Sequence, residues 1–131
     1  MRRFLSYEEA SAHLPAVREA VLELRRLRER LVLLRAALEQ AGPADRSRLE
    51  QQAEEILARM SEAVRRIEQA GGELKDLDLG LVDFLTLRAG QPAYYCWRLG
   101  EPEIRYWHGL DEGFAGRKPI DPDGWTGLPV A

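Results

Sequence analysis

Two uninterrupted heptad seams, separated by Gly42-Pro43, constrain this chain more than any other feature. Val17, Ala20, Leu24, Leu27, Leu31, Leu34, Leu38 and Ala41 recur at alternating steps of three and four, the stripe that one face of an α-helix buries. Leu49, Ala53, Ile56, Met60, Ala63, Ile67 and Ala70 repeat the pattern. Gly42-Pro43 stops the first run and Gly71-Gly72 ends the second. Two helices of similar length joined by so short a turn lie antiparallel, a coiled-coil-like hairpin about 40 Å long at 1.5 Å per residue. Ahead of them, Ser6-Tyr7-Glu8-Glu9 fits a capping box. It predicts a short helix over Tyr7–His13, with Pro15 ending it or becoming an early residue of the next helix.

A two-helix hairpin leaves apolar surface over. Leu22, Val32, Leu33, Leu57 and Val64 fall outside the narrow seams. The C-terminal module, a second copy of the chain, or both must cover them. A homodimer that completes a four-helix bundle is the economical solution.

The pattern changes after Gly72. Residues 73–80 read as a connector, followed by three aromatic and branched runs, Leu81–Leu87, Ala93–Leu99 and Ile104–His108, with Gly- and Pro-containing turns between them. The expected fold is therefore α+β: a long antiparallel helical hairpin, a small three-stranded antiparallel β-meander and an irregular C-terminal tail. Residues 1–72 form the hairpin with its short N-terminal helix. Residues 73–131 form the β module and tail, packed as one domain with the helices. The tail, 111–131, is expected to lie across the module with Ile120 and Trp125 as anchors. Strand alternation puts Val82, Phe84, Tyr95, Trp97, Leu99, Ile104, Tyr106 and His108 on one face. The other face takes Leu81, Asp83, Leu85, Leu87, Tyr94, Cys96, Arg98, Arg105 and Trp107.

Composition narrows the function. A net charge of −3 lacks the strong positive field of a nucleic-acid binder. The basic start of the chain turns acidic at Glu8-Glu9 with no apolar run behind it, so it is not a secretory signal. No stretch approaches the length of a membrane helix. The single cysteine, Cys96, excludes an intrachain disulfide and a CxxC motif. A cytoplasmic protein is expected.

Chemistry-bearing residues crowd the C-terminal module. Asp76, Asp78 and Asp83 with His108, Glu101 and Glu103 could ligate a metal, although their spacing matches no metal motif. A plainer reading leaves Asp76 and Asp78 solvated and pairs Asp83 with Arg98 or Arg105. His108 has the titration range of a general base. The alternation sets it on the face opposite Cys96, which argues against a Cys–His dyad. Gly113–Lys118 could hold an anion through its backbone and two cations, or could be a surface turn. The aromatic residues could stack bases, but core packing accounts for them better.

Leu74-Lys75-Asp76, Gly80-Leu81-Val82-Asp83-Phe84, Cys96-Trp97-Arg98-Leu99-Gly100-Glu101, Trp107-His108 and Gly113-Phe114-Ala115-Gly116-Arg117 give the chain a recognisable signature. It resembles domain-of-unknown-function family 2203, small bacterial and archaeal proteins, across its whole layout. The resemblance implies the architecture and carries no activity.

These observations favour a non-enzymatic interaction or structural protein that self-associates through its hairpin, with a further protein partner conceivable. The alternative is a small-molecule-, anion- or metal-binding protein, or an enzyme, with a site built from Asp83, Glu101, Trp107, His108 and Arg117. No cofactor is predicted.

Overall fold

The first helix begins where its capping chemistry places it. Ser6 Oγ accepts the Glu9 N–H and the Glu9 carboxylate accepts the Ser6 N–H, satisfying two backbone donors that a helix start would otherwise leave free. In the computed structural model, which describes residues 3–120, that helix does not stop at His13. Helix α1 runs unbroken from Tyr7 to Gln40, with Pro15 inside it. Pro15 removes the donor for the Ser11 carbonyl, a cost of about 3 kcal/mol in a helix interior. Burial of Ala10, Leu14 and Val17 along the same stripe offsets that cost, and the expected short separate helix is absent. Helix α2, Pro43–Gln69, opens with its proline at the first turn, where the missing N–H costs nothing. The expected seams are the buried ones: Val17, Ala20, Leu24, Leu27 and Leu31 on α1, and Leu49, Ile56, Ala63 and Ile67 on α2.

The remainder is a five-stranded antiparallel sheet in the order β1-β2-β3-β4-β5 rather than a three-stranded one. The strands are β1 (Gly72–Asp76), β2 (Leu81–Arg88), β3 (Gln91–Arg98), β4 (Tyr106–Gly109) and β5 (Lys118–Pro119). β1 occupies the stretch read as a connector. Its alternation is short and mostly polar, yet Leu74 pairs with Val82 and packs on the core. β5 is a two-residue edge, continued by a bond from Ile120 N to Arg105 O. Part of the tail is therefore strand, and Ile120 does pack against the core, whereas Trp125 lies outside the described residues.

One face of the sheet lies on the helices. Val82, Phe84, Tyr95 and Trp97 join Leu14, Val17, Val21, Leu24 and Ile67 in a single core. Each such fully buried side chain contributes about 1.5–3 kcal/mol. The segment before α1 is tied to β2, since Leu5 N donates to Leu85 O and Thr86 Oγ1 donates to Leu5 O.

Gly80 sets where β2 starts. Its φ of +65° belongs to the left-handed region, and a Cβ there would sit 2.5 Å from Leu99 Cβ. Gly90, at φ +79°, has open space around it. Gly80→Ala should therefore destabilise by well over ~1 kcal/mol, the conformational cost alone, while Gly90→Ala stays near it. Urea unfolding of the two variants checks this; equal losses would mean the Leu99 contact yields freely.

Candidate functional site

The face of the sheet turned away from the helices carries the polar residues. In β2, Asp83 pairs with Cys96 of β3, which pairs with Tyr106 of β4. His108 pairs with Tyr94, so it stands on the same face as Cys96. This corrects the expected alternation, which set Tyr106 and His108 on the helix side and Trp107 opposite. The error is one residue of register, enough to invert every side chain of a strand. β4 starts at Tyr106, not Ile104, and residues 99–105 form a folded loop. Ile104 is buried as a loop residue whose carbonyl accepts the Tyr7 hydroxyl, so its apolar character imitates a strand anchor.

Glu101 organises that loop. Its carbonyl accepts Trp97 Nε1–H at 2.9 Å, and its carboxylate accepts Arg98 N–H at 2.7 Å and Arg117 Nη2–H at 2.6 Å. Arg117 also donates to the Cys96 carbonyl at 3.1 Å, with its guanidinium 4.1 Å from the Tyr106 ring and 4.9 Å from that of Phe114.

The imidazole of His108 reaches across β3 toward β2. Its Nδ1 lies 2.7 Å from the Gly109 carbonyl, which can only accept, so Nδ1 carries a proton. Its Nε2 lies 2.9 Å from Asp83 Oδ2, and both side chains are only 3% exposed. Asp83 Oδ1 has no partner that meets hydrogen-bond geometry, and besides His108 the carboxylate is faced by the weak S–H donor of Cys96. A ring nitrogen of His108, a carboxylate oxygen of Asp83 and the Cys96 sulfur all lie within 4.8 Å of one another. Burial pushes the Asp83 carboxyl above its ordinary value, with His108 pulling the other way. Burial, reinforced by the Asp83 charge, pushes the Cys96 thiol up to about 12. Such a thiol is inert as a nucleophile.

Of the five expected site residues, the structure bonds Asp83 to His108 and Glu101 to Arg117, with Cys96 between the two pairs. Trp107 belongs to the other face, with Arg88 4.3 Å and Lys118 4.7 Å from its ring. Asp76 caps the Leu79 N–H, Asp78 pairs with Arg28 and Glu103 with Arg105, so none of them joins Asp83. Neither Arg98 nor Arg105 pairs with Asp83. Both cations of the Gly113–Lys118 loop are engaged, Arg117 by Glu101 and Lys118 by Glu112. Tyr95 and Trp97 are buried in the core and present no stacking surface. Cys96 is the member that sequence reasoning weighed and set aside, because the expected register put it on the face opposite His108. The signal for it was the Gly100–Glu103 stretch with Pro102, too irregular to be a tight hairpin turn.

A family model described as "Uncharacterized conserved protein (DUF2203)" matches residues 3–120. No curated protein and no solved structure matches the chain.

Two outcomes test the site's construction. Cys96 should resist a thiol reagent in the folded protein and react only as the chain unfolds; rapid labelling of native protein would contradict its burial. Glu101→Ala removes two charge-assisted bonds and should cost at least about 2 kcal/mol in denaturant unfolding, while Glu103→Ala stays within about 0.5 kcal/mol.

Proposed function

We propose that this chain, which belongs to the DUF2203 family of uncharacterized conserved proteins, binds a divalent transition-metal ion at Asp83, Cys96 and His108. The observation that carries the reading is the convergence of an oxygen, a sulfur and a nitrogen donor within 4.8 Å of one another in the buried face of the sheet. Each donor stands on a different strand, β2, β3 and β4, so the hydrogen-bonded sheet holds the spacing rigidly.

The surroundings suit metal ligation. The Nδ1–H bond to the Gly109 carbonyl fixes the tautomer and leaves Nε2 directed at Asp83, the outer-shell arrangement that ligating histidines use. Asp83 Oδ1, buried without a full partner, supplies an unspent acceptor. The mixture of imidazole, thiolate and carboxylate matches the borderline-soft preference of zinc and its neighbours rather than calcium or magnesium. Three protein donors leave one position of a tetrahedral ion for water or a small ligand.

Charge balance selects a dication. Metal-free, the triad is neutral: Asp83 and His108 form a neutral pair whichever of them holds the shared proton, and the thiol is protonated. A divalent ion displaces two protons, one from the pair and one from Cys96, and the site is neutral again. A monovalent ion would leave a buried negative charge, which is costly in so dry a setting. Binding therefore weakens as pH falls, because the protons compete for both positions.

Zinc titrated into metal-stripped protein should bind at one ion per chain and release two protons, read by calorimetry in buffers of different ionisation enthalpy. Cobalt should give a sulfur-to-metal charge-transfer band that the near-isosteric Cys96→Ser removes. His108→Ala should abolish binding. Folded wild-type protein that binds no zinc, or zinc binding untouched by both substitutions, would overturn the reading.

A further inference from the structure

The half of the hairpin remote from the sheet has a core of its own. Leu27, Leu31 and Ile56 are buried there, with Leu34, Ala53 and Met60 packed against them. So few buried side chains are a thin core for two helices, since most helical stability in proteins comes from packing an apolar face. The same region exposes what a core would normally hide. Leu33 is 72% exposed and Val32 61%, and Leu57 is also open. Between the helices lies a cleft of about 430 Å³ lined by Leu33, Leu34, Ala37 and Ile56 and by the charged Arg30, Glu55 and Arg59.

The charges are sorted by helix. Residues 25–35 of α1 carry five arginines and one glutamate, a net +4, whereas residues 50–62 of α2 carry four glutamates and one arginine, a net −3. Most of these charges are not spent within the chain, two being the exceptions. Arg28 pairs with Asp78, and Arg59 with Glu23. Among the described residues, Arg25, Arg26, Arg30 and Arg35 form no ion pair, and neither do Glu50, Glu54, Glu55 and Glu62.

We infer that the occupant of this surface is a second copy of the chain, docked by a two-fold axis so that α1 of each copy lies on α2 of the other. In a two-fold contact every residue meets its counterpart's partner reciprocally. Packing α1 on α1 would set net +4 against net +4, and α2 on α2 would set −3 against −3. Only the α1-on-α2 arrangement brings opposite signs together along both seams. It places Leu33 of each copy over the cleft of the other, with Arg30 facing Glu55 of the partner subunit. The result is a four-helix bundle with four alternating helices, basic and acidic in turn. The site on the sheet shares no residue with this surface.

Sedimentation velocity on the full chain tests it. Wild-type protein should be a dimer at tens of micromolar. Leu33→Asp, at a position exposed in the single chain, should be a monomer with an unchanged helical circular dichroism spectrum. Arg30→Glu and Glu55→Arg should each raise the dimer Kd on the order of tenfold, and the double exchange should restore it to within a few-fold. A wild-type monomer at tens of micromolar, or a dimer indifferent to Leu33→Asp, would overturn the proposal. Charge reversals without effect, or a double exchange no better than the singles, would overturn the α1-on-α2 arrangement.

Discussion

The polar face of this protein depends on how residues 99–105 fold, and Glu101 decides that. Its backbone carbonyl holds the Trp97 indole and its side chain holds Arg98 and Arg117, so the chain leaves β3 and enters β4 at one defined register. Because side chains alternate along a strand, the register alone determines whether His108 faces the helices or faces Asp83. Trp97 is simultaneously one of the largest buried groups of the helix-side core. One residue thus anchors the core on one face and, through its N–H, the loop that composes the other.

The helices were legible because their signal is redundant. A seven-residue apolar repeat sustained over several turns, bounded by Gly42-Pro43 and Gly71-Gly72, admits few other structures. Pro15 was the exception, since a proline usually marks a boundary and here the buried stripe from Ala10 to Val17 overrides it. The sheet was legible only in part. β2 and β3 are near-continuous apolar runs, but the turns that bound them centre the strands, so their faces were readable. β1 is mostly charged and β5 is two residues long, so neither has a pattern to detect. Tyr106-Trp107-His108 has no polar–apolar alternation either, and nothing local in it says which ring turns inward.

The same ambiguity governed the site. Asp83, Glu101, His108 and Arg117 stood out by residue type, but type does not say which of them meet. The structure divides them into two pairs and inserts Cys96 between. Its thiol lies with Asp83 and His108, while its carbonyl binds Arg117. A buried thiol is ordinarily an inert, small apolar group. What distinguishes this one is its company, two further donors brought from neighbouring strands by hydrogen bonds that owe nothing to the donors themselves.

The continuity of α1 has a mechanical consequence. The helix is 34 residues long, about 51 Å at 1.5 Å per residue, and it runs from the face of the sheet to the far tip of the hairpin. The part beyond Leu24, the last α1 residue in the core shared with the sheet, projects about 24 Å as a lever: tilting it by about 5° moves the tip by about 2 Å. The helix's most compliant point is Pro15, where the ladder lacks one rung, and that point lies at the sheet end, near the fulcrum. Small rocking of the module under α1 is therefore amplified along the arm rather than absorbed by it.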